Sequence, residues 1–223
     1  YESDFWENVL IEAHGVVFDL ILFGVIFTIY ERFYEKHLEN KRLKEEINDL
    51  REWEDPEAMY RNVGNIRRLV KNGVTQIDLT DCHLSSSKLM NLNLSKSTLL
   101  RTKLQSSKLR NIILDDAKIE NSFFNSAKFS NVSFKNATLN TVSFEDTVLH
   151  KTSFEGAYLF RCSFKDAQFT MDTVLEGAYV SDLEWMSKIK SESKHSSVFS
   201  AYVVNKKEIK DKNGNVWYKI VKK

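Results

Sequence analysis

The middle of the chain repeats with a period of five residues, and this period constrains the fold more than any other feature. From Leu79 to Phe169 every fifth residue is Leu, Ile or Phe, over 19 consecutive positions. The residue two positions earlier is usually small, as at Ser97 and Ala117. A period of five fits neither the helix period of 3.6 nor the strand period of 2. Four pentads per turn would place large and small residues inside and polar residues on four flat faces, which predicts a square solenoid.

Individual pentads carry a family resemblance. Units such as Ala117-Lys-Ile-Glu-Asn and Ala157-Tyr-Leu-Phe-Arg match the pattern A(D/N)LXX, so the segment 77–182 resembles the pentapeptide-repeat proteins, with one slipped residue near Asp172. The resemblance implies a mainly β fold, a right-handed quadrilateral β-helix. Some members are soluble DNA mimics that protect a topoisomerase, but mimicry of phosphates needs an acidic surface. The 12 basic and 12 acidic residues of this segment disfavour that branch.

An apolar stretch near the N-terminus predicts a transmembrane helix. From Val9 to Tyr30 the only ionisable residues are Glu12, His14 and Asp19, and 22 residues are enough to span a bilayer. Basic residues follow the stretch and none precedes it, so the positive-inside rule predicts an N-terminus outside and repeats in the cytoplasm. A buried hairpin helix in a soluble protein is the alternative. With the resemblance, the pattern indicates a single-pass protein of the bacterial inner membrane, in contact with lipid.

The remaining segments complete a division into five parts. The absence of proline between Asp4 and Asp55 predicts a continuous helical stalk, in which Leu43, Ile47 and Leu50 form a single heptad, weak evidence for a coiled coil. The parts are the transmembrane helix (1–30), the stalk (31–55), a capping helix and linker (56–76), the repeats (77–182) and a C-terminal cap (183–223).

The capping helix and the C-terminal hairpin have their own local signals. Asp55 and Pro56 begin the helix, Asn72-Gly73 end it, and its apolar stripe is Met59, Val63, Ile66 and Val70. The stripe predicts packing over the open N-terminal end of the solenoid. The C-terminal segment contains a hairpin-like stretch, Tyr202 to Val221, with a turn at Asn213-Gly214.

Asp19 lies near the middle of the transmembrane stretch, where a charge costs about 2.5 to 3.5 kcal/mol. Glu12, Gly15 and Asp19 share one helical face, and one span cannot hide that face alone. A homo-oligomer, tetrameric or larger, could make it a carboxylate-lined cation pathway. Alternatively, a protonated Asp19 only joins neighbouring helices. His14 is a lesser candidate that can simply sit at the headgroups.

One solenoid face is basic, although the whole chain has a net charge of only +1. When the pentads are sorted by face, this face has a net charge of +5 and no acidic residue, whereas the other three have net charges of −1, −1 and 0. We call it the basic face, and its cations are Lys88, Lys108, Arg110, Lys128 and Lys151. Stacked lysines repel unless an anion screens them, so a nucleotide or short single-stranded nucleic acid is a candidate ligand. The alternative is a solvated lysine face. A column of Asn91, Asn111 and Asn131 beside the lysines can form a hydrogen-bonded ladder.

A second basic group lies on the capping helix, at Arg61, Arg67, Arg68 and Lys71. This group is either an anion site or a surface that faces acidic headgroups.

The sequence carries no enzyme signature, metal-spaced cluster or cofactor motif. Cys82 and Cys162 occupy inward positions four coils apart, which is too far for a disulfide and predicts buried free thiols. Some membrane-anchored relatives look like effectors of antiviral defence, so the resemblance implies a homo-oligomeric membrane effector, a cation channel gated by an anionic ligand or partner. The alternative is a passive membrane-anchored scaffold that binds a partner protein through its flat faces.

Overall fold

The computed structural model describes residues 2–194 and 196–223, with side chains described for 13–194 and 197–223. It divides into two compact units, Tyr1–Arg42 and Leu43–Lys223. The first unit consists of helix α1, Glu2–Asp49, up to Arg42. Side chains 13–39 of this helix are all exposed. Within the described part of the chain, α1 is the one helix long and apolar enough to cross a membrane, on length and composition alone.

The second unit is a parallel β-solenoid of about five coils. Each coil contributes a strand to each of two sheets. The first sheet contains β1 (Lys88–Asn93), β3 (Lys108–Ile113), β5 (Lys128–Ser133), β7 (Val148–Ser153) and β9 (Gln168–Phe169). The second contains β2 (Thr98–Leu100), β4 (Lys118–Glu120), β6 (Thr138–Asn140), β8 (Tyr158–Phe160) and β10 (Tyr179–Val180).

Strand register confirms the predicted coil of four pentads. Leu89 aligns with Leu109, and Leu109 with Phe129, so each coil has 20 residues. The predicted slip is also confirmed, because Leu149 aligns with Phe169 at a separation of 20 but Ser153 aligns with Val174 at 21. The extra residue therefore lies between Phe169 and Val174.

The interior of the solenoid is formed by the residues that carry the period. All 19 Leu, Ile and Phe positions are at most 2% exposed. Leu and Ile fill the first coils, and Phe predominates from Phe124 onward, where Phe124, Phe144 and Phe164 stack with ring centroids 5.2 and 4.9 Å apart. Hydroxyls at the small positions donate to backbone carbonyls of the preceding coil, as Thr102 Oγ1 does to Leu79 O at 2.9 Å. The buried polar side chains therefore add bonds between coils.

The corners of the coils have left-handed backbone. From Asp81 to Asp166 every fifth residue has a positive φ, and all but Gly156 carry a side chain. Asn and Asp tolerate this region better than other L-residues, and Asn, Asp and Ser hold most of the corners. The corner positions explain why polar residues recur at a fixed place in the pentad.

The N-terminal end of the solenoid is closed by helices. Helix α2, Pro56–Lys71, begins as predicted, with Asp55 accepting a hydrogen bond from Glu57 N at 2.7 Å, and is followed by Asn72 and by Gly73 at φ +85°. Its buried stripe differs from the predicted one, since Met59 and Val70 are only partly buried; the buried residues are Ala58, Asn62, Val63, Asn65, Ile66 and Leu69. The helix lies against β1.

The prediction of a helical stalk to residue 55 is corrected in two respects. Helix α1 ends at Asp49, and Glu52 at φ +59° lies in the turn that follows. Leu43, Ile47 and Leu50 are at most 3% exposed, and Leu43 and Ile47 belong to the same core as Ile66 and Ile77. Their heptad spacing therefore reflects packing within this chain and not a coiled-coil seam.

The C-terminal end is covered by helices and strands, with Trp185 against Phe164 and Phe199 against Phe169. After α3, Trp185–Glu192, and a 3₁₀ helix, Ser196–Ala201, come the antiparallel strands β11, Tyr202–Lys210, and β12, Val216–Lys222. Strand β12 pairs with β10 and so extends the second sheet. This confirms the predicted hairpin. Tyr202 and Trp217 are buried in it, so both rings pack within the fold.

Candidate functional site: the basic face

The basic face lies on the first sheet, where the sequence sorting placed it. Lys88, Lys108 and Lys128, here called the lysine row, occupy equivalent positions on β1, β3 and β5. Neighbouring lysines are therefore about 4.8 Å apart along the stack, measured by strand spacing. All three side chains are exposed. The strand register thus confirms the predicted alignment.

The backbone fixes these positions because the neighbouring residues are buried. Ser87 and Leu89 flank Lys88, and both point into the core, as do Ser107 and Leu109 on either side of Lys108. The alternation forces each lysine outward. A row held by paired strands loses little backbone freedom on binding, so the face is preorganised.

The other two cations of the basic face lie on the same sheet. Arg110 aligns with Met90 and Ser130, and Lys151 lies at a left-handed corner within β7 at φ +49°. Both are exposed. Across residues 13–194 and 197–223, none of the five cations of the basic face forms an ion pair. These five cations therefore form no ion pair with a carboxylate in that part of the chain, and the carboxylate of Asp172 lies 3.9 Å from His150, the neighbour of Lys151.

The asparagine ladder beside the lysine row forms as predicted. Asn111 Nδ2 donates to Asn91 Oδ1 at 2.7 Å, and Asn131 Nδ2 donates to Asn111 Oδ1 at 3.0 Å. All three residues have φ between +53° and +59°. The ladder therefore stabilises three successive corners next to the lysines.

The second predicted basic group is divided by its contacts. Arg61 donates through Nε and Nη2 to Glu46 Oε1 at 2.9 and 2.8 Å, and this pairing lowers the pKa of Glu46. Arg68 Nη1 donates to Asn65 Oδ1 at 2.7 Å. Arg67 Nη2 instead donates to the carbonyl of Lys88 at 2.9 Å, while Lys71 is exposed. The structure therefore brings Arg67, and not the whole group, to the lysine row.

Between Ala13 and Glu39 the polar residues of α1 are all exposed. Gly15 and Asp19 are four residues apart and share a helical face, whereas His14 is five positions before Asp19 and lies about 140° away from it around the helix. The side chain of Glu12 lies outside the described residues. Of the predicted pore-lining set, Gly15 and Asp19 are therefore brought together.

A cluster that the sequence did not reveal ties the segment after α1 to the first coils. Glu54 pairs with Lys103 and with His83 Nε2, the latter at 2.9 Å, and the bonds from Lys103 and His83 lower the pKa of Glu54. Arg101 makes two bonds of 2.7 Å to Asp81, whose carboxylate lies next to this cluster. Glu54 lies 49 positions before Lys103 and 29 before His83, and it stands outside the repeats, so the sequence gave no signal for this contact.

The cysteines match the prediction of free thiols, but only Cys82 matches the prediction of full burial. Cys82 is fully buried and Cys162 is partly exposed, and neither forms a disulfide. Burial raises the pKa of each thiol to about 12. A thiol with so high a pKa is a poor nucleophile at neutral pH. In the part of the chain that the structure describes, no group of His, Cys, Asp and Glu is arranged to hold a metal ion.

Comparison with known proteins gives one family match and several solved structures. The family described as the pentapeptide repeat region matches residues 77–154. A pentapeptide repeat protein from the cyanobacterium Cyanothece 51142 is 26% identical, with 44% of this chain and 63% of that chain covered and a TM-score of 0.39. HetL from Nostoc sp. strain PCC 7120 is 17% identical (46% and 53% covered, TM-score 0.22). A pentapeptide repeat protein from the Arabidopsis thaliana thylakoid lumen is 24% identical (48% and 63% covered, TM-score 0.17).

No curated protein sequence matches the chain. The chain spans between about half and two thirds of the length of these solved structures.

The 20-residue coil, the buried fifth position and the parallel register define a β-solenoid built from five-residue units. The family match covers residues 77–154 of this solenoid, so that segment is a pentapeptide repeat region. The same chain also has a long apolar N-terminal helix.

Proposed function

We propose that this protein is a membrane-anchored effector whose solenoid binds an anionic ligand, a nucleotide or a short single-stranded nucleic acid, on its basic face. The observation that carries the proposal is the in-register lysine row without a balancing carboxylate on a rigid sheet. Like charges on neighbouring strands repel one another, so a bound anion is favoured by the removal of that repulsion as well as by direct attraction.

Helix α1 supports the membrane part of the proposal. Its side chains from Ala13 to Glu39 are exposed and include many large apolar residues, such as Phe18, Phe23 and Phe27. In water such a surface favours association or a lipid environment. The helix then holds the solenoid at the bacterial inner membrane, with the repeats in the cytoplasm.

Asp19 supports a further step, in which the spans assemble into a homo-oligomer that conducts cations. A carboxylate on the exposed apolar part of α1 is costly in lipid unless other helices surround it. Four or more copies with Gly15 and Asp19 facing a common axis give such surroundings and an acidic lining. Ligand binding at the basic face then gates this pathway, in a defence role such as membrane effectors perform.

The ligand part is tested by neutralising the lysine row. We expect the triple variant Lys88→Gln, Lys108→Gln, Lys128→Gln to lose most of its affinity for ATP and for a single-stranded oligonucleotide. The matched control is Lys96→Gln, Lys118→Gln, Lys165→Gln, which removes the same charge from exposed positions elsewhere on the solenoid. Equal binding by wild type and the first variant, measured by titration calorimetry at low salt, contradicts the proposal.

The oligomer part is tested by the mass of the detergent-solubilised complex after subtraction of the detergent. A defined tetramer or larger ring is expected. A monomer or dimer has too few helices to enclose a pathway and contradicts the conduction step, leaving α1 as an anchor.

A passive membrane-anchored scaffold is the second candidate function. Met90 and Ile113 are exposed apolar side chains on the same sheet as the lysine row, at 42% and 39%, and Phe123 is exposed at 40% on another side. Apolar positions on flat faces suit the docking of a protein partner. Unchanged anion binding in the lysine-row triple variant favours this candidate.

A further inference from the structure

Arg67 lies at the head of the lysine row, although it belongs to a different structural element. In the parallel pair of β1 and β3, Lys108 N donates to Ser87 O at 2.8 Å. The carbonyl of Lys88 therefore points away from β3, toward the outer edge of the sheet. Arg67 Nη2 donates to that carbonyl at 2.9 Å, so the arginine of α2 occupies the place of a preceding strand.

Four cations consequently follow one line across α2 and three coils. Arg67 stands one step before Lys88, Lys108 and Lys128, and the line is about 14 Å long at one strand spacing per step. A guanidinium has five N–H donors, and one nitrogen of Arg67 is used on the carbonyl of Lys88. The side chain is exposed, so donors remain for a ligand.

The neighbours of this line indicate how a ligand is recognised. The outward residues along β1, β3 and β5 beside the row are Met90, Asn91, Arg110, Asn111, Ser130 and Asn131. None of them has an aromatic ring on which a base could stack, and stacking is a main source of affinity for single strands. The line therefore favours a ligand recognised by repeated negative charge alone.

We infer that the four-cation line binds a linear polyphosphate chain laid along the solenoid axis, and that the bound chain fastens α2 to the coils. The inference rests on the anion site of the proposed function, but names inorganic polyphosphate as its ligand in place of a nucleotide or a single-stranded nucleic acid. Phosphates joined through a single oxygen are closer together than neighbouring strands, so every cation meets one without a register match. Phosphates of a nucleic acid are separated by a sugar and lie further apart than neighbouring lysines.

The packing of α2 explains why such a fastening matters. Asn62 is fully buried on this helix, and neither its Oδ1 nor its Nδ2 has a hydrogen-bond partner among the described residues. Buried polar groups without partners weaken the contact between a helix and the core. A ligand that joins Arg67 to the lysine row opposes this weakness.

Binding is measured with inorganic polyphosphate and the full chain in detergent, over a range of salt concentrations. Each lost phosphate contact lowers the slope of log affinity against log salt by about one. We expect Arg67→Gln to lower it by about one and the lysine-row triple variant by about three, with no change for the control triple variant at Lys96, Lys118 and Lys165. Affinity is expected to rise with chain length until the polyphosphate covers the line.

A second measurement reports on the fastening of α2. Amide hydrogen exchange in α2 is expected to slow when polyphosphate binds wild type, and to slow less in Arg67→Gln. Arg67→Lys keeps the charge and restores most of the binding. If Arg67→Gln disturbs α2 by itself, Lys128→Gln is used instead. Lys128 lies at the other end of the line, two strands from β1, and its replacement still removes one phosphate contact.

The outcomes separate the two proposals. Binding of ATP or an oligonucleotide through the lysine row, without binding of polyphosphate, overturns the inference and leaves the proposed function intact. The inference is also overturned if the affinity for polyphosphate does not depend on its chain length, or if that affinity is the same in wild type, Arg67→Gln and Lys128→Gln. Equal binding of every probe by wild type and the lysine-row triple variant overturns both.

Discussion

Helix α1 and the solenoid both carry many large apolar residues, but they dispose of them in opposite ways. The solenoid buries its 19 periodic positions to 2% exposure or less, whereas Phe23 of α1 is 69% exposed and Phe18 is 65% exposed. In the solenoid, each periodic apolar residue packs against the equivalent residue of the next coil. The apolar side chains of α1 between Ala13 and Glu39 are exposed, so they are stabilised only by lipid or by other helices.

The largest expected effect comes from breaking the phenylalanine stack of the solenoid. Phe144 lies between Phe124 and Phe164 and is fully buried. Phe144→Ala removes this ring and leaves a cavity, so the free energy of unfolding should fall by about 3–5 kcal/mol. Urea unfolding followed by circular dichroism measures the change.

Phe23→Ala on α1 is the matched control for that experiment. Because Phe23 is exposed, its removal should leave the urea midpoint of the solenoid unchanged. A midpoint shift as large as that of Phe144→Ala would contradict the view that the solenoid is stable independently of the apolar part of α1.

The next largest effect concerns Asp19. Replacement by Leu removes a charge from the middle of the apolar stretch, so insertion of α1 into a membrane should become more favourable by about 2.5–3.5 kcal/mol. A glycosylation-mapped insertion assay measures this directly. If the proposed cation pathway exists, the same variant should lose conductance in liposomes, and equal conductance of wild type and Asp19→Leu would remove Asp19 from conduction.

A smaller effect, a gain in stability, tests whether the repulsion within the lysine row destabilises the solenoid when no anion is bound. Lys108 lies between two other lysines, so Lys108→Gln should increase the free energy of unfolding by about 0.2–1 kcal/mol at low salt. High salt should abolish the gain. Lys118, at an equivalent pentad position on β4, pairs with Glu120 at 3.2 Å, so Lys118→Gln should give no gain.

The smallest effect is local and depends on pH. The Asp211 carboxylate accepts bonds from Asn215 Nδ2 at 2.8 Å and Trp217 Nε1 at 3.1 Å, which lower its pKa from 3.8 to about 2. A lowered folded-state pKa stabilises the hairpin above pH 3.8, and this contribution is lost as the pH falls toward 2.

Trp217 fluorescence should therefore change between about pH 4 and pH 2, and Asp211→Asn should abolish that transition. Because the contacts are confined to the turn of the hairpin, far-UV circular dichroism of the coils should stay constant over this pH range. Loss of the coil signal together with the fluorescence change would show that the hairpin and the coils unfold as one.

The sequence predicts the parts of the fold that repeat. The five-residue period alone predicts the 20-residue coil, the slip before Val174 and the column of asparagines. The start of α2 also follows, because Asp55 and Pro56 are local signals. Local signals fail where a residue is placed by distant contacts, as with Leu43 and Ile47, whose helical spacing cannot tell a coiled coil from a core.

The candidate site shows the same limit. Face sorting finds the lysine row because its members are separated by one coil. It cannot place Arg67 there, because the contact with Lys88 depends on how α2 packs on the sheet edge. The cluster of Glu54, His83 and Lys103 escapes for the same reason, since it joins a nonrepetitive segment to the coils.

The 20-residue coil also determines which changes of length the protein can tolerate. Deletion of 20 residues removes one coil and returns every later side chain to its former column. Deletion of a single pentad preserves the buried core pattern but turns all later pentads by one side, so a lysine of the row would join a different face. The natural insertion lies after Phe169, where little more than one coil remains to be displaced. The side chains of each solenoid face therefore stay together only when the length changes by whole coils, and any other change displaces fewest of them near the C-terminal end.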